Sequence, residues 1–167
     1  MTEQLIMDIK FDPRNTPRPP IGHQVFIRKG IEAILPAIKA WAGPGCGDDE
    51  SLISDLTEAL ENAYDNDGYN LAKYLDDEGW ITDRVLVDIL DDLSGHIYDA
   101  RAEAVRLWVK TADLQYPWKG TRVRSGNITG IVDDVCRNMG KCYVKKDGDT
   151  TNALHIFDVE KVEVLNE

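Results

Sequence analysis

Apolar residues recur every three or four positions through the first two thirds of the chain, which is the spacing of amphipathic helices. This spacing predicts helices over residues 22–41, 49–64, 69–78, 83–93 and 96–112. Pro36 falls inside the first pattern and must either kink that helix or begin a second one. Ser94-Gly95 is expected to separate the last two helices, and Thr82 is expected to cap the helix that follows it.

Two aromatic or apolar residues, Trp80 and Ile81, follow the third helix after Gly79, whose freedom to adopt a left-handed conformation suits a helix end. They are expected to pack inward.

The period changes after Leu114 to short alternating runs separated by Gly, Asn and Asp, the residues that hairpin turns require. Five strands are predicted, over residues 121–124, 128–137, 141–146, 153–157 and 161–165. Strands this short and this close together favour a small barrel. The predicted fold class is therefore α+β, an N-terminal helical bundle followed by a C-terminal five-stranded β-barrel.

Three segments follow from this pattern. Residues 1–21 form an irregular, proline-containing arm with a candidate strand over residues 5–11, residues 22–114 form an acidic helical domain, and residues 118–167 form the barrel.

The C-terminal segment resembles the SH3-like small barrel. The resemblance is carried by Gly120-Thr121-Arg122-Val123, by Gly130-Ile131-Val132, by Cys142-Tyr143-Val144-Lys145 and by the run from Asp158 to Val164, and it covers residues 118–165. It implies a fold and no particular activity. The segment's aromatic residues are limited to Trp118, Tyr143 and Phe157, so recognition of proline-rich peptides is not expected.

The formal net charge of −11 is concentrated in the middle of the chain. Residues 45–113 carry five Lys/Arg and eighteen Asp/Glu, whereas residues 114–167 carry eight of each. Such a block repels nucleic-acid phosphates and attracts basic protein surfaces. A solubilising surface with no partner is the alternative interpretation.

The predicted partner is a basic protein or a nucleoprotein complex, bound through the outward carboxylates of the helices. These candidate residues are Glu58, Glu61, Asp65, Asp76, Asp77, Asp88, Asp91 and Asp92. Direct nucleic-acid binding is not expected, and the oligomeric state stays open.

The combination of a short helical block and a small barrel without an enzyme signature resembles the small accessory proteins of bacteriophages. This resemblance implies an inhibitor of host nucleic-acid-binding defence complexes, of which anti-CRISPR and anti-restriction proteins are examples.

A second interpretation places nucleic-acid binding on the barrel, through Arg122, Arg124, Lys141, Tyr143 and Lys145. Its own alternative is that these basic residues only keep exposed strands soluble.

No pattern of residues indicates catalysis, a cofactor or a metal. Asp65-Asn66-Asp67-Gly68 begins like a calcium loop but has glycine at the fourth position, and helix-capping carboxylates explain it better. Cys142 with His155 could form a nucleophile pair but has no third orienting group, and buried cysteines are the simpler interpretation. We therefore predict a non-enzymatic protein.

The chain has no apolar run long enough to span a membrane, and residues 1–6 do not have the layout of a signal peptide. Three cysteines without a paired motif are typical of a reducing compartment. A cytoplasmic location is therefore expected.

Overall fold

The chain is an α+β protein. A computed structural model describes residues 17–165, so the candidate strand over residues 5–11 lies outside the described residues. The helices are α1 (Gln24–Ala42), α2 (Asp49–Asn62), α3 (Gly68–Asp77), α4 (Arg84–Asp91) and α5 (Leu93–Thr111). The strands are β1 (Arg122–Ser125), β2 (Ile128–Cys136), β3 (Lys141–Lys146), β4 (His155–Asp158) and β5 (Glu163–Val164). The predicted class and the five strands are confirmed.

The described residues form two compact units. Among the described residues, the helical unit comprises Pro19–Ala102, and the sheet unit comprises Pro17 and Arg18 together with residues 103–165. The division falls within α5, whereas the sequence pattern placed the end of the helical domain near residue 114.

The helix break predicted at Ser94-Gly95 is wrong, and so is one of the two alternatives for Pro36. Helix α1 continues through Pro36, so no second helix begins there. Ser94 and Gly95 lie in the first turn of α5, and the break comes at Asp92, whose carbonyl accepts a hydrogen bond from the His96 N–H. The first turn of a helix lacks half of its backbone bonds, so residues with weak helix propensity are tolerated there.

Carboxylates begin three of the helices. Asp48 accepts the Ser51 N–H at 2.8 Å, Asp67 accepts the Asn70 N–H at 2.8 Å, and Asp83 accepts the Leu86 N–H at 2.9 Å. Each bond satisfies a donor that the helix itself leaves unpaired. The cap of α4 is thus Asp83 and not Thr82, whose hydroxyl donates to Asp76 instead.

The core of the helical unit is built from the apolar faces that the helical spacing predicts. Its members are at most 9% exposed and come from all five helices: Phe26, Ile31, Ile34, Leu35, Ile38, Leu52, Ile53, Leu56, Ala59, Leu71, Ala72, Leu75, Leu86, Leu90, Leu93, Ile97 and Ala102.

The backbones of α3 and α4 approach each other most closely at Gly68. A Cβ atom added there would lie 2.7 Å from the Asp91 amide nitrogen and closer still to the Val87 carbonyl oxygen. The Gly68 N–H donates to the Asp91 carboxylate at 2.6 Å, which holds the first residue of α3 against the end of α4. Only glycine fits this contact, because its neighbours are backbone atoms that cannot rotate away.

The sheet unit contains an antiparallel sheet in the order β4-β3-β2-β1-β5. Strands β4 and β5 are the two edges, so the sheet is open and the predicted closure into a barrel is wrong for the described pairing. Strand β5 pairs with β1 alone. It has only two residues, so it is too short to continue the ladder to a further strand. Val123, Val132, Cys142, Val144 and Val159 form the buried core on one face.

A buried arginine, Arg18, connects the residues just before β3 to the 3-10 turn after β4. The Arg18 side chain is 7% exposed, and its guanidinium donates to the carbonyls of Met139 and Gly140 at 2.8 and 2.7 Å. It also donates to both carboxylate oxygens of Glu160 and lies 4.9 Å from the centre of the Trp108 ring. A guanidinium with this many acceptors and an aromatic face can be buried without an unpaired donor.

Asp158 completes this cluster. Its carboxylate accepts from Lys141, lies 3.1 Å from Lys161 Nζ, and lies 3.2 Å from Arg18 Nε. Burial alone would raise the pKa of Asp158, but the hydrogen bonds from Lys141 and Lys161 and the charge of Arg18 hold it below its usual value.

We expect Gly68→Ala to lower the free energy of unfolding by about 1–3 kcal/mol, because the methyl group would force α3 and α4 apart. Gly95→Ala is the matched control, since nothing lies within 4 Å of its added Cβ and alanine is the better helix former. Chemical denaturation of both variants tests this. Equal stability of the two variants would contradict the close approach.

We expect Asp158→Asn to be less stable than the original chain at pH 7 and to lose less stability on acidification. A carboxylate with a lowered pKa stabilises the folded state fully above its ordinary value near 3.8, and this contribution disappears as the pH falls through the lowered pKa. Thermal unfolding between pH 7 and pH 2 measures both effects. Asp134→Asn, at an exposed position without an ion pair among the described residues, should follow the original curve.

Candidate functional site

The carboxylates predicted to face outward from the helices are all exposed. This holds for Glu58, Glu61, Asp65, Asp76, Asp77, Asp88, Asp91 and Asp92. Within the part of the chain that the structure describes, none of these eight groups lies within 4 Å of a basic side chain. We call this set the acidic face.

The few ion pairs of the helical unit lie elsewhere. Arg28 pairs with Glu32 at 2.9 Å and with Glu50, and Lys39 pairs with Asp49. Residues 19–102 contain six Lys/Arg and seventeen Asp/Glu, a net charge of −11 for this unit. Most of its carboxylates therefore have no basic neighbour among the described residues.

Some members of the acidic face also hold the fold together. Asp91 accepts the Gly68 N–H, Asp76 accepts the Thr82 hydroxyl, and Glu58 accepts the Tyr74 hydroxyl at 3.2 Å. By contrast, the structure gives no side-chain hydrogen bond for Asp77, Asp88 or Asp92 within residues 17–165. These three are the members whose charge can be changed with least effect on the fold.

An apolar groove, which the sequence did not predict, opens on the helical unit. The C-terminal end of α1 supplies Ile38, Trp41 and Ala42, and the following loop supplies Gly45 and Cys46. Leu52 of α2 and the segment after α3, Gly79, Trp80 and Ile81, complete the wall. The groove has a volume of about 580 Å³, within the range of ligand pockets. We call it the tryptophan groove.

Carboxylates fix both indole rings of the tryptophan groove. The Trp41 Nε1–H donates to Asp83 at 3.0 Å, and the Trp80 Nε1–H donates to Asp55 at 3.3 Å. Hydrogen bonds from the Leu86 N–H and then from Trp41 hold the pKa of Asp83 below its usual value. Asp83 is therefore charged at neutral pH while it caps α4 and holds a ring of the groove.

A second, smaller cleft shares Trp80 with the tryptophan groove. Asp55, Glu58 and Glu78 line it together with Tyr74, and its volume is about 100 Å³. Burial first, and then the nearby charge of Glu58, raises the pKa of Tyr74, so its hydroxyl stays protonated and donates to Glu58. One face of the helical unit thus combines aromatic walls with three carboxylates, an arrangement suited to a cation next to an apolar group.

Ile81 shows why the groove was missed. The sequence predicted that Trp80 and Ile81 pack inward, but Ile81 is 88% exposed and Trp80 is only half-buried. They lie between α3 and α4, where no helical period indicates which side chain faces the core. The available signal was an apolar pair outside any amphipathic pattern.

The basic residues of the alternative nucleic-acid interpretation share one face of the sheet. In the strand register, Arg122 lies opposite Ile131 and Ile131 opposite Lys145, while Arg124, Lys141 and Tyr143 follow on the same side. Arg122 pairs with Asp147 at 2.6 Å, Arg124 with Glu163 at 2.9 Å, and Lys141 with Asp158. Three of these four basic groups therefore already face a carboxylate.

The remaining candidate sites have structural explanations. Asp67 caps α3 through one carboxylate oxygen and accepts the Asn70 side chain with the other, as expected for capping rather than calcium binding. Cys142 is fully buried opposite Phe157, and burial raises the pKa of its thiol, which is the reverse of what a nucleophile requires. His155 lies opposite Val144.

Across the described residues, no helix is both long enough and apolar enough to cross a bilayer. No family model, curated protein or solved structure matches the chain. The described residues combine eight exposed carboxylates without a basic neighbour and a groove lined by two tryptophans in the same helical unit.

Proposed function

We propose that the chain is a non-enzymatic binding factor whose acidic face engages a basic surface of a nucleic-acid-handling protein or nucleoprotein complex and blocks it. The single observation that carries the proposal is the set of eight exposed carboxylates without a basic neighbour in the described structure. Charges that are not neutralised within the protein remain available to a partner.

The physical basis is electrostatic complementarity. A surface with one sign of charge speeds the encounter with an oppositely charged partner, and it disfavours partners of its own sign. A protein that binds nucleic acid presents lysines and arginines to phosphates, so an acidic protein can compete for the same surface. The resemblance to small phage accessory proteins supports inhibition as the outcome of this competition.

The sheet unit has a supporting role in this proposal. We infer an SH3-like arrangement for it, supported by the position of β1 between β2 and β5 and by the short 3-10 helix at Val159–Lys161 before the last strand. Its basic side chains are largely paired, which favours a scaffold over a nucleic-acid platform.

We expect the triple variant Asp77→Lys, Asp88→Lys and Asp92→Lys to lose retention of basic nucleic-acid-binding proteins when the immobilised chain is exposed to a cell extract. Reversing three charges removes attraction and adds repulsion, so bound proteins should be released at a lower salt concentration. Double-stranded DNA added to the original chain should displace the same proteins.

A second triple variant, Glu103→Lys, Asp133→Lys and Asp134→Lys, changes the net charge equally but leaves the acidic face intact. It should retain the same proteins as the original chain. If the two triple variants behave alike, total charge and not the acidic face determines binding, and the proposal fails.

The alternative function predicts a direct shift of short DNA or RNA in a gel at low salt. We expect no shift at micromolar protein, because the net charge is −11 and most basic groups of the sheet are paired. A shift that Lys145→Glu or Tyr143→Ser abolishes would instead favour the sheet as a nucleic-acid-binding surface.

A further inference from the structure

We infer that the tryptophan groove binds one apolar side chain of a Lys/Arg-rich segment of the partner. This inference rests on the proposed function and adds the location and the chemistry of the contact. It requires a partner segment in which a leucine-like side chain is flanked by basic residues.

The groove has the features of a preformed anchor site. Its walls include two indole rings that are held by hydrogen bonds to Asp83 and Asp55, so they need no rearrangement before binding. Ile81 is 88% exposed and would be covered by an occupant. Covering apolar surface is favourable, and a preformed pocket loses little conformational freedom on binding.

The negative charge around the tryptophan groove favours a basic segment as its occupant. Asp48 follows the loop that carries Cys46, and Asp83 lies two residues after Ile81, whereas Asp49 is already paired with Lys39. The cleft with Asp55, Glu58 and Glu78 shares Trp80 with the groove. A second copy of this chain would bring two units of net charge −11 together, whereas a basic segment gains attraction from Asp48, Asp83 and the carboxylates of the cleft.

Trp80 lines both cavities, and this determines how far apart the apolar side chain and the cation of the partner segment must be. Because Trp80 lines both the groove and the carboxylate cleft, an apolar side chain in the groove places its neighbouring residues close to the cleft. A lysine or arginine there meets Asp55, Glu58 and Glu78, and it can also contact the indole face. The segment thus carries its cation within a few residues of its apolar anchor.

A double-mutant cycle tests the inference with the full-length chain. The probe is a short synthetic Lys/Arg-rich peptide with one central leucine, and its twin carries serine in place of the leucine. Calorimetric titration measures binding of both peptides to the original chain and to Ile81→Ser. On the original chain, we expect the serine peptide to bind about tenfold more weakly or worse, because it leaves the groove uncovered.

On Ile81→Ser, the difference between the two peptides should shrink by several-fold, since the leucine has lost part of its contact surface. Tyr64→Ser is the matched control, because Tyr64 is 96% exposed in the same acidic unit but does not line the groove. It should preserve the full difference. Raising the salt concentration should weaken both peptides while leaving their ratio nearly unchanged.

Two results would overturn the inference, and they are distinguishable. If both peptides bind equally and salt releases them, the acidic face binds basic segments by charge alone, so the groove plays no part and the proposed function stands. If neither peptide binds at low salt, the groove inference fails together with the proposed function.

Discussion

The concentration of like charge in the helical unit is the constraint on which its structure depends. Seventeen carboxylates within residues 19–102 repel one another and would favour an expanded chain. Several of these carboxylates offset the repulsion by accepting hydrogen bonds from backbone N–H groups. Asp48, Asp67 and Asp83 cap helices, and Asp91 accepts the Gly68 N–H. A continuous apolar core from five helices supplies the opposing attraction. Glu32, Asp49 and Glu50 form ion pairs, and most of the other carboxylates face solvent, where ions screen them.

Two carboxylates of the helical unit stabilise the walls of the tryptophan groove. Asp83 and Asp55 act on the fold through helix capping and indole hydrogen bonds, while their charges also contribute to the potential at the groove. An apolar surface left open in a unit of such high charge is protected from self-association, because two copies repel each other. Solubility and an exposed binding surface are therefore compatible in this unit.

The hydrophobic pattern predicted the helices and strands, which have a regular period, and missed features of segments that have none. The helices and the outward carboxylates follow from a period of 3.6, and the strands follow from alternation and turn residues. The exposure of Ile81 was not predicted, because a short segment between helices has no hydrophobic period. Trp41 and Leu52, which line the groove with Ile81, come from separate helices that only the tertiary structure brings together. The barrel was expected to close, yet closure depends on the length of β5, which no local signal determines. The break between α4 and α5 comes at Asp92 and not at Gly95, which lies three residues later inside α5.

Arg18 also bears on the order in which the chain can fold during synthesis. Its acceptors are the carbonyls of Met139 and Gly140 and the carboxylate of Glu160, which is 142 positions further along the chain. Arg18 is translated long before these partners, and it remains without the full set until residue 160 has been added to the chain. Closing so long a loop is slow, and the contacts of Arg18 in the sheet unit can form only after residues 19–102 of the helical unit have been translated.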